Sequence, residues 1–205
     1  MNAIKLDNGK YKLIQKLEYY ENPSTLYTPE HSNKKQAESN SLRLYKKLVK
    51  NNKLEEYENE IRSAIEIGTL KEVMNPEEIF SGIHYFCFHN VVISETSSST
   101  KVRLINNTSA ITPFIGTLIS VNTKYPKFSL NNISKCIFNF MLYDNKLSGD
   151  VSKCYRKILV DDISAKLRLF CWLRMENDIP KFIYYERKTL DFGDPAASKR
   201  KHFSP

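Results

Sequence analysis

The fold prediction rests on the stretch Asn145-Lys-Leu-Ser-Gly-Asp-Val-Ser-Lys-Cys-Tyr155. Within it, Lys146 to Val151 is predicted to form a short central strand that carries one carboxylate, Asp150. A charge at the point where a buried strand emerges needs a compensating partner, and a divalent cation is one such partner. Tyr155 then places an aromatic ring nearby. The ordinary alternatives are a helix N-cap or a surface position for Asp150, and core packing for Tyr155.

Two further blocks flank this stretch. The upstream block is Ser97-Ser-Ser-Thr-Lys-Val-Arg-Leu-Ile-Asn-Asn-Thr-Ser-Ala110, and the downstream block is Thr189-Leu-Asp-Phe-Gly-Asp-Pro-Ala-Ala197. Lys101 and Arg103 lie two apart on a predicted strand, so both project from one face and suit a shared triphosphate. Gly193 lacks a Cβ and permits close approach of a ligand. A solvated basic strand face and an ordinary turn glycine are the alternatives.

In this order and at these separations, the three blocks resemble the fingers and palm of a reverse transcriptase. The resemblance is closest to the Bel/Pao class of LTR retrotransposons, and it covers about residues 57–197. It implies an RNA-directed DNA polymerase whose partners are an RNA/DNA primer-template and a deoxynucleoside triphosphate. It makes Asp150 a catalytic residue and a ligand of Mg²⁺, with the backbone carbonyl of Val151 as another ligand. The nucleotide-binding residues that it implies are Lys101, Arg103, Tyr155, Phe192 and Gly193.

The chain departs from the family pattern in two places. The family has an Asp in its Phe-Asp-Ala-Ser-Ala sequence where this chain has Asn107. The Tyr/Phe-x-Asp-Asp sequence that supplies further metal ligands does not occur, and Asp161-Asp162 is interpreted as a solvated turn. We therefore expect a truncated segment that cannot polymerise alone. The alternatives are a non-catalytic basic module that binds nucleic acid or a partner, and a chain that does not fold stably because its sheet has an open edge.

Composition agrees with an intracellular nucleic-acid partner. Lys and Arg total 31 against 23 Asp and Glu, a net charge of +8 that favours phosphate backbones or anionic surfaces. No apolar run approaches the roughly 20 residues of a membrane span. No signal-peptide pattern occurs either, so a cytoplasmic location without a membrane partner is expected.

The cysteines and histidines are predicted to be structural. The four cysteines, which lie in apolar segments, are expected to be reduced core residues; they are Cys87, Cys136, Cys154 and Cys171. His84, Cys87 and His89 crowd into one predicted strand. A structural zinc site normally draws on two separated ligand pairs, so zinc is not favoured here.

Periodicity and punctuation predict an α+β fold, with N-terminal helices followed by partial fingers and palm built on an antiparallel sheet. The predicted regions are an extended lead-in at residues 1–31, a helical region at 32–80 and the partial polymerase domain at 81–205. Helices are predicted at 33–50, at 54–65 with Gly68 as the stop, and at 131–142 with a core face. Strands are predicted at 84–93, 101–106, 165–174, 181–186 and 189–192, with a loop at 94–100 and a turn at 175–180.

Overall fold

The computed structural model describes residues 2–5, 11–15, 17–93, 102–108, 110, 122–124, 132–144, 154–177 and 179–191. The described strands are β1 (Asn2–Lys5), β2 (Tyr11–Gln15), β3 (Glu18–Tyr19), β4 (Leu70–Glu72), β5 (Phe88–Ile93), β6 (Val102–Asn107), β7 (Thr123–Lys124), β8 (Ile158–Val160), β9 (Leu169–Glu176) and β10 (Ile179–Arg187). The described helices are α1 (Pro23–Leu26), α2 (Lys34–Lys50), α3 (Leu54–Glu66), α4 (Pro76–Phe80), α5 (Ile133–Met141) and α6 (Asp162–Lys166), with 3₁₀ turns at Pro29–His31 and Cys154–Lys157. This mixture of helices and antiparallel sheet confirms the α+β prediction. None of the described helices combines the length and the apolar character needed to cross a bilayer.

The two long helices occur where the apolar spacing predicts them. In α2, Ala37, Leu44 and Leu48 are buried, as expected for one apolar face of a helix. The second helix, α3, stops at Gly68, whose φ of +74° lies in the left-handed region that glycine adopts without strain. The Gly68 N–H donates to the Ile65 carbonyl at 2.9 Å, which satisfies a helix-end carbonyl.

The central sheet has the strand order β4–β10–β9, and all of its pairings are antiparallel. β9 ends at Glu176, which pairs with Ile179 at the start of β10. Asn177 follows β9 with a φ of 52°, a conformation that Asn tolerates and that suits a tight hairpin. The predicted strand at 181–186 lies within β10, but the predicted turn at 175–180 is too long, because Met175 pairs with Pro180 and Glu176 pairs with Ile179 as strand residues.

The predicted strand at 165–174 begins too early. Asp161 caps α6, because its Oδ1 accepts a hydrogen bond from the Ser164 N–H at 3.0 Å. The capped turn holds residues 162–166 as a helix, and β9 begins only at Leu169. Asp161 is thus a structural cap, while the Asp162 side chain is 93% exposed.

Two apolar layers enclose the central sheet. On one face, Phe170, Trp172 and Tyr185 pack against α2, α3 and β6 in a cluster whose buried members are Leu44, Leu48, Tyr57, Ile61, Ala64, Leu70, Val102, Leu104, Phe170, Trp172, Ile183 and Tyr185. Alternate residues of β9 and β10 point the other way. There Leu169, Cys171 and Tyr184 pack with Phe86 and with Phe80 of α4.

The β5–β6 hairpin joins the central sheet at one point and then diverges from it. Phe86 pairs in parallel with Leu169, and the Leu169 N–H donates to the Tyr85 carbonyl at 2.9 Å. Beyond that point, side chains of α2 form hydrogen bonds with backbone groups of β9 and β5. The Ser41 hydroxyl accepts from the Leu173 N–H at 2.8 Å on β9, and the Asn40 amide donates to the His89 carbonyl at 3.1 Å on β5. Side chains of one helix thus satisfy backbone groups on two strand edges.

The predicted extended lead-in contains regular structure. β1 pairs antiparallel with β2, and β2 pairs in parallel with β8 between Leu13 and Ile158. The segment is therefore tied into a small sheet of its own. The division of the chain at residues 31 and 80 stays a prediction.

α5 forms where it was predicted, but its core assignment is wrong. Ile133 is 76% exposed and Phe138 is 64% exposed, and no residue of this helix is buried. Spacing identifies an apolar face without identifying what covers it. Cys136 on this helix is exposed, so its prediction as a core cysteine is also wrong, whereas Cys87 and Cys171 are free thiols in the core.

Candidate functional site

Most of the predicted site residues lie outside the described residues. They are Asp150, Val151, Lys101, Phe192 and Gly193. The predicted strand at 146–151 and the loop at 94–100 lie outside them as well. The roles assigned to these positions stay predictions.

Arg103 lies on the outer face of the β5–β6 hairpin. Its neighbours Val102 and Leu104 are buried against the helices, and strand alternation turns Arg103 the other way, toward solvent. It stands opposite Val92 of β5, which is 44% exposed. A guanidinium in this position is accessible to an anionic ligand.

Tyr155 lies in the 3₁₀ turn Cys154–Lys157 and is half-buried. Its ring packs against a small apolar cluster whose buried members are Leu17, Val160, Ala165 and Leu190. Packing on one side holds the ring in place while leaving part of it accessible. The core-packing interpretation of this residue therefore applies to one side of the ring.

The segment after Tyr155 lies beside the segment that leads to Phe192. Leu159 and Thr189 form an antiparallel bridge, and the Leu190 N–H donates to the Ile158 carbonyl at 3.0 Å. At the end of this pairing the Arg156 Nε lies 3.4 Å from the Asp191 Oδ1, with both side chains largely shielded from water. This ion pair joins the residue that follows the second sequence block to Asp191 of the third block.

A second ion pair extends the contact toward the β5–β6 hairpin. Arg187 is bound to the other carboxylate oxygen of Asp191, and its second terminal nitrogen lies 3.5 Å from the His89 Nε2. His89 stands opposite Asn106 on the hairpin that also carries Arg103. We call the connected set Glu60, Arg156, Asp191, Arg187 and His89 the buried ionic chain, since Arg156 also lies 3.9 Å from Glu60.

Sequence reasoning missed the buried ionic chain. Its members are ordinary polar and charged residues in the sequence, and all of its contacts except that between Arg187 and Asp191 join residues far apart along it. A weak signal existed, because Arg156 and Asp191 each adjoin a residue that the motifs single out. Their adjacency to Tyr155 and Phe192 could have marked them as residues that position the two blocks.

Several buried polar atoms around this chain have no hydrogen-bond partner. They are the His89 Nδ1, both side-chain polar atoms of Asn106, the Thr189 Oγ1 and the Arg187 Nε. A buried donor or acceptor left unpaired costs about 1 to 3 kcal/mol.

The histidines that suggested zinc have other partners. One ring nitrogen of His84 contacts the Gly82 carbonyl at 2.9 Å, and the other contacts the Ser32 hydroxyl at 2.6 Å. His89 packs on the ring of Phe170, with centroids 3.8 Å apart. No group of three or more His, Cys, Asp or Glu side chains in the described part of the chain is arranged to hold a metal ion. The predicted magnesium site thus depends on Asp150 and Val151.

Acid is expected to destabilise the protein through His89. Burial, reinforced by the nearby Arg187 charge, lowers the pKa of His89 well below 6.5. The folded protein therefore keeps this ring neutral, whereas the unfolded chain takes up a proton below about pH 6.5. The unfolded state then binds more protons, so the stability contribution is present above pH 6.5 and is lost as pH falls. The loss is at most about 1.4 kcal/mol per pH unit for one such group.

Urea denaturation between pH 7 and pH 5 measures this effect. The His89→Gln variant is expected to show a shallower fall in unfolding free energy than the wild type. The exposed His31 offers a matched control, and His31→Gln should follow the wild-type slope. An unchanged slope in His89→Gln would contradict the burial of a neutral ring. His84, whose pKa is also lowered by burial, is expected to retain part of the slope in that variant.

Compared with known proteins, the chain matches no protein-family model and no curated protein.

Proposed function

We propose that the chain forms the fingers and the first part of the palm of an RNA-directed DNA polymerase of the reverse-transcriptase type, similar to that of Bel/Pao elements. The observation that carries the proposal is the buried ionic chain. Through it Arg156, which follows Tyr155, contacts Asp191, which precedes Phe192. His89 adds the hairpin that bears Arg103. The described parts of the three blocks, residues 102–108, 154–155 and 189–191, thereby contact or adjoin one buried set of polar side chains, which supports the proposal.

The proposed roles follow from the chemistry of nucleotidyl transfer. Lys101 and Arg103 bind the triphosphate, and Tyr155 lies against the sugar of the incoming nucleotide. Asp150 and the Val151 carbonyl would hold magnesium, which neutralises phosphate charge when bound. The fixed contacts of Arg156 hold the Tyr155 turn in place, so that the aromatic ring does not depend on the ligand for its position.

Polymerisation needs carboxylates that these 205 residues do not supply in a Tyr/Phe-x-Asp-Asp sequence. Two-metal chemistry requires ligands for both ions. We therefore assign polymerisation to a polypeptide that also carries that sequence. We expect the 205 residues to bind a deoxynucleoside triphosphate without extending a primer.

Nucleotide binding tests the proposal. Arg103→Ala is expected to weaken the binding of a fluorescent deoxynucleoside triphosphate in Mg²⁺ by about 10- to 100-fold, since a hydrogen bond to a charged group contributes roughly 1.5 to 3 kcal/mol. Arg62→Ala is the matched control, because Arg62 lies on α3, which packs on the opposite face of β6. Asp150→Asn should remove the magnesium dependence of binding.

Equal affinities for the Arg103 and Arg62 variants would overturn the nucleotide site. Primer extension by the wild-type chain that Asp150→Ala abolishes would overturn the expected inactivity.

A non-catalytic nucleic-acid-binding module is the second candidate. It is favoured by Asn107, which pairs with Phe88 where the family has an Asp, so that the hairpin loses an acidic group beside its basic residues. This candidate predicts salt-sensitive primer-template binding that weakens in Arg103→Ala and ignores Asp150→Asn.

A further inference from the structure

Basic side chains form a stripe along the exposed side of α2. Lys35, Arg43, Lys46 and Lys50 are all exposed, and their spacing places them on one side of the helix. We call these four residues the α2 stripe. From the first to the last it extends about 22 Å at the rise of an α-helix.

The α2 stripe keeps its charge. The one acidic residue of the helix, Glu38, faces the sheet, where it accepts a hydrogen bond from the Tyr184 hydroxyl at 2.5 Å. Among the described residues, no carboxylate pairs with the stripe. Arg43 donates to the Asn40 side chain at 3.0 Å, a neutral partner that leaves the guanidinium charge available.

The neighbouring helix has the opposite charge. α3 carries one basic residue, Arg62, against five acidic residues, Glu55, Glu56, Glu58, Glu60 and Glu66. An anionic polymer is therefore attracted to α2 and repelled from α3. The opposite charges of these two helices favour one orientation of such a ligand.

A shallow, open groove of about 330 Å³ lies beside the first half of the stripe. It is lined by Lys35, Gln36, Ser39, Arg43 and Phe88. Gln36 and Ser39 contribute polar side chains to the lining, and Phe88 contributes a half-buried aromatic ring. The groove thus combines cations, polar groups and a ring.

The same surface continues along the outer face of the hairpin. Phe88 and Val92 share this face of β5, and Arg103 stands opposite Val92. Phe88 and Val92 are four residue steps apart along the strand, a distance of about 13 Å. A ligand that leaves the groove along β5 therefore reaches Arg103.

We propose that the α2 stripe and its groove bind single-stranded nucleic acid, with phosphates on the basic side chains and an unpaired base against Phe88. Basic grooves with an accessible aromatic ring suit single strands, because a base in a duplex has no free face to stack. The α2 stripe and its groove lie outside all three sequence blocks, and only the continuation along β5 reaches Arg103 of the first block, so the inference goes beyond the proposed nucleotide site and does not require it.

Fluorescence anisotropy with a labelled 15-nucleotide oligo(dT) tests the inference. The triple variant Lys35→Gln/Arg43→Gln/Lys46→Gln is expected to bind about tenfold or more weakly than wild type at low salt. It should also lower the slope of log K against log salt by about 2, since each phosphate contact on a single strand contributes roughly 0.7. The control variant Lys157→Gln/Lys166→Gln/Lys181→Gln removes the same number of charges from other exposed positions. Its affinity for oligo(dT) should fall much less.

Phe88→Leu separates stacking from charge, because leucine keeps apolar packing without a ring. It is expected to weaken the oligo(dT) complex by about fivefold or more and to leave binding of a duplex of equal length unchanged.

Thermal melting of each variant checks that it folds. Equal loss in the two triple variants would overturn the α2 site, and tighter binding of duplex or of poly-glutamate than of oligo(dT) would overturn the assignment to single strands. Retained nucleotide binding in the α2 triple variant would show that the two sites fail independently.

Discussion

Asp191→Asn is expected to lower the free energy of unfolding by about 3 to 5 kcal/mol, the range for removing one partner of a buried ion pair. The substitution preserves side-chain volume and removes only the charge. Arg187 is 2% exposed and Arg156 is 8% exposed, so water cannot replace the lost carboxylate. Urea denaturation followed by circular dichroism measures the change in unfolding free energy. The m-value shows whether the surface area exposed on unfolding stays the same.

An exposed ion pair provides the matched control. Lys181 and Glu176 lie 3.0 Å apart and are 60% and 45% exposed, so Glu176→Gln should cost less than about 1 kcal/mol. A double-mutant cycle of Asp191→Asn with Arg187→Met should give a coupling energy of about 1 kcal/mol or more. If Asp191→Asn costs no more than Glu176→Gln, the buried ionic chain does not hold the blocks together.

Trp172→Ala is expected to cost about 3 to 5 kcal/mol, as for other large aromatic residues removed from a core. Its side chain is 1% exposed, and its ring centroid lies 4.6 Å from that of Tyr57 and 6.2 Å from that of Tyr45. The substitution leaves a cavity between α2, α3 and the central sheet. Thermal and urea unfolding followed by circular dichroism report the loss, since the variant has no tryptophan fluorescence.

Trp172→Phe refines this prediction. The indole Nε1 is buried without a hydrogen-bond partner, so phenylalanine removes an unpaired donor along with some volume. We expect Trp172→Phe to lower the free energy of unfolding by less than half as much as Trp172→Ala does. Ile179→Ala, at a position that is 68% exposed, should stay within about 0.5 kcal/mol of wild type. A small loss in Trp172→Ala would contradict the central role of this ring in the core.

The local parts of the fold could be predicted from the sequence, because short-range rules govern them. Apolar spacing located α2 and α3, and Gly68 marked the end of α3. The prediction failed where a capping residue overrode strand propensity, as Asp161 does before β9. It also failed for α5, whose apolar face was predicted to lie in the core but is exposed. Residue spacing reveals that a helix has an apolar face, but it does not show whether another element packs on that face.

The candidate site was less predictable than the fold. Arg103 could be placed on a strand face, since this depends on local structure. The strand predicted before Tyr155 lies outside the described residues, and the 3₁₀ turn that holds Tyr155 was not predicted. The contacts of Arg156 with Asp191 and of Arg187 with His89 depend on the tertiary packing of segments far apart in the sequence. No spacing rule connects such charges, and only the folded chain brings them within range of one another.

The way α2 covers the edges of β9 and β5 bears on self-assembly. An uncovered strand edge is a template on which another copy of a chain can add its own strand, the first step toward fibrils. Ser41 and Asn40 occupy that template from within the same molecule. Truncations or substitutions that undock α2 should therefore favour intermolecular β-stacking before they unfold the sheet itself.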